Sequence, residues 1–327
     1  MTIPDDPVGR GAWAVARRRM EQGREKHSPV RQRRRRKQHW DPFVHLLRLA
    51  EMGLRLIGLH RRGVRNALGF AVNRMELSFA DLPPAFDGFR LLQISDPHFD
   101  ALPGIEERLC DMAAAEAVDL CVLTGDYLLK NGGPFAQVLP SFARLAAAVK
   151  AGHGIVAILG NHDPADLVPG IEAAGIRVLI NESLTIERDG DAIHLTGTDD
   201  VHYFYTDAVP AALGAAPAAL GAAPGGFRIA LIHSVEAAGI AADAGFQLYL
   251  AGHTHGGQIC LPGGRPVFTH LTCHRAYARG IWRHGDMVGY TSSGVGVSGI
   301  PVRFNCPGEM AVITLRRAPI QSARSSQ

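Results

Sequence analysis

Residues 90–126 read RLLQISDPHFDALPGIEERLCDMAAAEAVDLCVLTGD. An apolar run, LLQIS, stops at Asp96 and His98. An Ala-rich stretch with helical spacing occupies 104–117, and a second apolar run, LCVLTG, stops at Asp126. Each run has the length of a buried strand, and the intervening stretch has the spacing of a crossover helix. The same event recurs three times: IVAILG before Asn161, RIALI before His233, and LYLAG before His253 and His255. In open α/β sheets the working residues sit where strands leave the sheet at their carboxyl ends. Five such junctions therefore predict one cluster of side chains delivered to one rim.

The cluster holds two Asp, one Asn and four His, with no cysteine. Mixed oxygen and imidazole donors suit Mn, Fe or Zn better than Ca or Mg, and seven donors exceed what one tetrahedral ion needs. Two divalent ions, with Mn²⁺ the first choice, is the economical reading. A carboxylate can bridge two cations held about 3.5–4 Å apart, and a water between such cations loses its proton near neutral pH and becomes a nucleophile. Asp126 is the natural bridge, because Gly125 before it lets the turn run close to the ions. Asp96 and His98 can grip one ion from a single loop, whereas His253 and His255 can reach two different ones. In the next cluster Asn161 offers an amide oxygen, His162 can meet the substrate with a proton or hydrogen bond, and Asp163 is expected to fix the tautomer of that imidazole.

Outward from these junctions, 134–150 is a second crossover helix, giving a βαβαβ start. IRVLI at 176–180 and a hairpin turned at Asp189–Gly190 then predict a mixed or antiparallel sheet. Strands are expected again around 227–232, 246–251, 286–292 and 310–315. AALGAAP occurs twice in tandem, at 211–217 and 218–224, and is expected to form a surface connection. Cys110, Cys121, Cys260, Cys273 and Cys306 form no close CxxC pair and read as free thiols of a reducing compartment.

The net charge of +3 conceals a division. Residues 1–66 carry 17 Lys+Arg against 6 Asp+Glu, and the remainder 17 against 25. Four units are expected: a basic unstructured tail over 1–40, an amphipathic helix within 41–66, a catalytic body over 67–317, and a frayed tail over 318–327. The run RQRRRRK at 31–37 belongs to the first. In 42–60 His45, Arg48, Glu51 and Arg55 share one arc and leave a wide apolar face, so residues 31–65 are expected to hold the chain on an anionic membrane surface. Charges interrupt the segment too often for a signal peptide or a spanning helix. The location implied is peripheral, at the cytoplasmic face of an inner membrane, with nucleic acid as the other anionic partner considered.

DPH at 96–98, GD at 125–126, GNHD at 160–163, the lone His233 and GHTHGGQ at 252–258 resemble the ordered motifs of the calcineurin-like metallophosphoesterase superfamily. GVGVSGIPVRFNCPGEM at 294–310 further resembles its bacterial membrane-associated branch, which includes phosphodiesterases and a UDP-2,3-diacylglucosamine pyrophosphohydrolase of lipid A synthesis. The resemblance covers about 88–315. It implies a four-layer α/β sandwich of two mixed β-sheets flanked by helices. It also implies one metal on Asp96, His98, Asp126 and His255, a second on Asp126, Asn161, His233 and His253, and His162 as the catalytic histidine. His202 and Tyr205 are expected to line the substrate cleft, and Arg275, Arg279 and Arg303 to grip a second phosphate. The activity implied is hydrolysis of a phosphodiester or pyrophosphate by a metal-bridging hydroxide. A nuclease, a cyclic-nucleotide phosphodiesterase and a non-catalytic metal-binding scaffold are the alternatives.

Overall fold

The computed structural model describes residues 9–23, 41–130, 133–219, 226–269, 271 and 275–318. The first half supplies β1 (Ala71–Phe79), β2 (Arg90–Ile94), β3 (Ala117–Val118), β4 (Leu120–Leu123), β5 (Lys150–Ala151), β6 (Ile155–Ala157) and β7 (Arg177–Val178). The second supplies β8 (Glu182–Arg188), β9 (Asp191–Gly197), β10 (Phe227–Leu231), β11 (Leu248–Ala251), β12 (Gly280–His284), β13 (Met287–Thr291) and β14 (Glu309–Arg317). One six-stranded sheet has the order β1-β14-β2-β4-β6-β7 and the other β12-β13-β11-β10-β9-β8, with β3 and β5 forming a small pair apart. Strands β2, β4, β6 and β7 run parallel, as do β9, β10, β11 and β13. The expected βαβαβ start and the Asp189–Gly190 hairpin are both present.

The sheets face each other across one apolar layer that joins Leu91, Val122 and Ile158 of the first to Leu195, Ile229 and Leu250 of the second. Parallel strands buried on both faces read as continuous apolar runs, so each junction was visible as a block of Leu, Ile and Val. The outer face of the first sheet is covered by α4 (Ile105–Ala114), α5 (Leu139–Ala148) and α6 (Val168–Ala173). Helix α4 buries Ile105, Leu109 and Ala113 at one-turn intervals and places Glu106 and Glu107 in its first turn, where the helix dipole favours them. The second sheet is covered by α7 (Ala208–Ala219) and α8 (Ala238–Asp243). Helices, sheet, sheet and helices make the four layers that the resemblance implied.

Three expectations need correction. Within the supposedly unstructured 1–40, α1 (Arg10–Glu21) is a helix lying on the body. Its arginines meet carboxylates there: Arg10 pairs with Glu172 and Glu182, Arg17 with Asp199, and Arg18 with Asp166. That acidic face removes the self-repulsion that argued against order, while the run at 31–37 lies outside the described residues. The helix expected over 42–60 stops at Leu56 as α2 (Asp41–Leu56), and a separate helix, α3 (His60–Leu68), follows it. Gly58 at φ 74° ends the first, with Gly58 N–H donating to Arg55 O and Leu59 N–H to Leu54 O, the paired bonds of a glycine C-cap. Finally, the first AALGAAP copy lies in α7, where Val209 and Leu213 enter the core, and the second copy is largely outside the described residues.

Helix α3 belongs to the body. Gly63 faces Val302 so closely that a Cβ there would lie 2.5 Å from Val302 Cβ, and its carbonyl accepts from Arg303 N–H at 3.0 Å. Among the described residues no helix is long and apolar enough to cross a membrane.

Candidate metal centre

All five junctions end at one rim. Asp96 and His98 follow β2, Asp126 follows β4, Asn161 follows β6, His233 follows β10, and His253 and His255 follow β11. Two sets of ligand atoms come together there, Asp96–His98–His255 and Asp126–His233–His253, and within each set the atoms lie within 4.8 Å of one another. Asn161 joins the second, its Oδ1 2.7 Å from His253 Nδ1.

Glycines before the ligands allow this convergence. A Cβ on Gly160 would stand 2.2 Å from Asp126 Oδ1, and one on Gly252 would stand 2.3 Å from Asp96 Oδ2. The ligand residues themselves pay in backbone strain: Asp96, His98, Asp126, His253 and His255 all have φ between 40° and 70°. Side chains rarely adopt that region, and such outliers cluster at functional sites.

Hydrogen bonds aim the imidazoles. His98 Nδ1 donates to Leu128 O at 2.6 Å and His233 Nδ1 to Thr124 O at 2.7 Å, and a carbonyl can only accept. In each ring Nε2 is therefore the atom turned into the site, the arrangement usual for metal-binding histidines. His98 Nε2 lies 3.1 Å from His255 Nε2, which is 3.6 Å from Asp96 Oδ1. His233 Nε2 is buried and faces Asp126 Oδ2 at 3.2 Å. Two ligand atoms that converge so closely fit a cation held between them in place of a proton.

The charges agree with that fit. Burial drives His98 down to about 3, against the pull of Asp126, and burial with His98 and Arg303 nearby keeps His255 well below its ordinary range. Both rings are neutral near pH 7, as metal ligands must be. Burial raises Asp96 to about 6. Burial alone would lower His233, but the charges of Asp126, Asp96 and Asp200 raise it to about 10. Without a metal, an imidazolium thus supplies the positive charge that these carboxylates demand.

His162 sits beside the two sets, its Nε2 4.0 Å from Asp126 Oδ2 and its ring edge-on to His98. Its side chain is 23% exposed, whereas the seven candidate ligands are all buried, so His162 faces the open side of the site. Its tautomer is fixed by Leu129 O, which accepts from Nδ1 at 2.7 Å, and this corrects the expected role of Asp163. The Asp163 carboxylate instead accepts from the backbone N–H groups of Gly160, Asp126 and Tyr127, each at 2.8 Å. It ties the GNHD turn to the GD turn, because a carboxylate in a turn is closer to backbone amides than to the adjacent imidazole.

The expected substrate residues divide. His202 is buried at the site, its ring 4.5 Å from that of His253 and its Nδ1 3.0 Å from Glu236 Oε2. Tyr205 packs against the apolar cluster under α7 and α8. Arg275 is exposed, and Arg279 is exposed along the GHTHGGQ turn, with Nη1 3.6 Å from Cys306 Sγ. Arg303 is no phosphate grip. It is wholly buried, and its guanidinium donates to the carbonyls of Ser293, Gly294, Gly296 and His255, fastening the late glycine-rich segment beneath the site. Its five donors in a rigid fork suit a cage of carbonyls as well as a phosphate, and sequence does not distinguish the two.

Several contributors escaped the sequence reading. Ser95 Oγ donates to Asp96 Oδ2 at 2.5 Å, and the carbonyls of Thr124, Leu128 and Leu129 orient three histidines. Carbonyls leave no residue-type signal. Arg17 of α1 also reaches the GNHD turn; its only trace was the spacing of Trp13, Arg17 and Met20 on one helix face.

A family model described as calcineurin-like phosphoesterase matches residues 89–257, from the strand before Asp96 into the GHTHGGQ turn. The metallophosphoesterase YkuE of Bacillus subtilis is 30% identical, over 72% of this chain and 82% of that protein. The phosphodiesterase YaeI of Escherichia coli is 29% identical, over 69% of this chain and 82% of its own length. A transmembrane protein with a metallophosphoesterase domain from Danio rerio is 28% identical, over 75% of this chain and 57% of that protein.

Proposed function

The chain belongs to the calcineurin-like phosphoesterase family and is a phosphoric ester hydrolase, and on that premise we propose that it cleaves a phosphodiester or pyrophosphate bond in a lipid-linked or nucleotide-linked substrate at a membrane surface. The observation that carries the reading is the meeting of Asp96–His98–His255 with Asp126–His233–His253 beside an accessible His162. Two divalent cations held by these residues and Asn161, with Mn²⁺ preferred for such donors, would supply charge neutralisation and an activated water for displacement at phosphorus. Asp126 lies in the second set and its charge acts on His98 of the first, which suits the bridging role.

His162 then meets the substrate. With Nδ1–H spent on Leu129 O, Nε2 is the atom left to face the substrate, and in the imidazolium its N–H can donate to a phosphoryl oxygen or pass its proton to the leaving oxygen. The name of the Escherichia coli relative favours diesters as substrates. The lipid element rests on the apolar side chains of α2, of which Leu46, Leu49, Met52 and Leu56 are each more than half exposed. UDP-2,3-diacylglucosamine joins both features in one molecule.

The test is hydrolysis of bis-p-nitrophenyl phosphate by the purified chain with Mn²⁺. Replacing Asp126 by Asn removes several kcal/mol of charge stabilisation and should lower kcat by at least about a thousandfold. Full activity in the variant would remove the dimetal reading. UDP-2,3-diacylglucosamine should be cleaved faster than simple diesters, and equal rates would remove its lipid-specific part.

A further inference from the structure

We infer that Arg17, on the N-terminal helix, is a positioning residue for the turn that carries Asn161 and His162; this rests on the phosphoesterase reading above. Arg17 stands in a run of three arginines, yet it alone is wholly buried while Arg18 and Arg19 are exposed. Burying a guanidinium is costly unless every donor finds a partner. Here Nη2 donates to Asp163 O at 2.8 Å and to Gly160 O at 3.2 Å, Nη1 pairs with Asp199, and Nε donates to Glu21 Oε1 at 3.1 Å. The guanidinium also lies over the Phe204 ring, 3.3 Å from its centre.

The two carbonyls bonded by Nη2 bracket Asn161 and His162 in sequence. One planar group therefore closes the mouth of the turn from outside, while the Asp163 carboxylate grips it from inside through the amides of Gly160, Asp126 and Tyr127. Neighbouring side chains of α1 press on the same stretch. Glu21 Oε1 accepts from Ala165 N–H at 2.8 Å, and Trp13 Nε1 donates to Asp199 Oδ2 at 2.7 Å, keeping that carboxylate turned toward Arg17. A helix needed only to anchor the chain terminus could use exposed pairs such as Arg18–Asp166. A buried fork on the backbone beside His162 does something different, because it sets where that imidazole stands. A displacement of about 1 Å at a reacting group can cost about a hundredfold in rate.

The experiment compares full-length wild type with Arg17→Met, Arg17→Lys and Asp199→Asn. Three quantities are read: amide hydrogen exchange over 158–167 and over the sheet strands, Mn²⁺ affinity by electron paramagnetic resonance, and kcat and KM for bis-p-nitrophenyl phosphate. In Arg17→Met, exchange should rise at least about tenfold over 158–167 with the strands unchanged. The weaker of the two Mn²⁺ sites should lose affinity, and kcat should fall at least about thirtyfold with KM within about threefold. Arg17→Lys, which keeps the charge but not the fork, should lie between Arg17→Met and wild type. A folded Arg17→Met with unchanged kcat and unchanged exchange over 158–167 overturns the inference. So does an exchange increase spread evenly over the molecule, which marks a merely structural role. If Arg17→Met does not fold, Asp199→Asn decides by the same readouts. Should wild type hydrolyse no phosphoester, the functional reading fails by itself, while exchange and Mn²⁺ binding still decide the place of Arg17.

Discussion

At the scale of single residues the site is a set of unfavourable arrangements that stabilise one another. Five candidate ligands hold left-handed backbone at about 1 kcal/mol or more each, a sum comparable with the net stability of a domain. His233 is the sharpest case, since its raised value near 10 means that in the metal-free protein it is protonated at pH 7. A cation can take Nε2 only by displacing that proton. Loading at pH 7.5 should therefore release about one proton from His233, in addition to any given up by a metal-bound water, and apparent affinity should climb roughly tenfold per pH unit below 10. Titration calorimetry in buffers of different ionisation enthalpy reads the proton directly, and zero release would mean that His233 is already neutral. The metal-free fold carries the matching sign. A raised histidine stabilises fully below its unfolded value near 6.5 and loses that contribution as pH rises toward 10, so the metal-free Tm should decline over that window.

At the scale of elements, the ligands are placed by strands whose register is set at the far end of the sheet. The β8–β9 hairpin pairs Arg188 with Asp191 and turns through Asp189 at φ 50° and Gly190 at φ 87°, both left-handed as a two-residue turn of this kind requires. Gly190→Val should cost about 1–2 kcal/mol, which for a chain of this size lowers Tm by about 2–8 °C. Activity should survive, because β9 leads away from the turn toward Asp199 at the opposite rim; an unchanged Tm would show that the turn does not fix the register. That hairpin and the five junctions were legible because their signals are local: a turn chemistry, or a block of apolar residues ending at a ligand. Edge strand β1 was not. It pairs in parallel with β14, more than two hundred residues away, and within AVNRMELSF only the short second half, MELSF at 75–79, alternates apolar and polar residues. Helix α1 was hidden for a related reason, since its order comes from carboxylates of the body that sequence does not place beside it. Arg303 and Asp163 had recognisable chemistry but partners made of backbone, which made one look like a phosphate grip and the other like a histidine's partner.

At the scale of the molecule, charge and apolar surface are divided in the same way. Residues 1–66 carry the positive excess and the rest the negative one, so an anionic surface attracts the first and repels the second. Helix α2 presents Leu46, Leu49, Met52 and Leu56 outward, while Leu47 turns inward, close enough that a Cβ on Gly299 would touch it. The exposed arginines Arg48, Arg55, Arg61 and Arg62 flank the outward face. The proposed attachment therefore combines two terms with different salt dependence. The cationic one is screened within about 8 Å at physiological ionic strength, whereas apolar immersion is not. Sedimentation with anionic phosphatidylglycerol vesicles should thus weaken with salt but level off above zero. Immersing a leucine or methionine is worth roughly 1.5–3 kcal/mol at most, so the pair Leu49→Glu and Met52→Glu should remove the residual binding and lower partition at least about tenfold even in dilute salt. Turnover of bis-p-nitrophenyl phosphate, which needs no membrane, should be unchanged in that variant. Wild type remaining in the supernatant at low salt would instead assign the exposed face of α2 to some other partner.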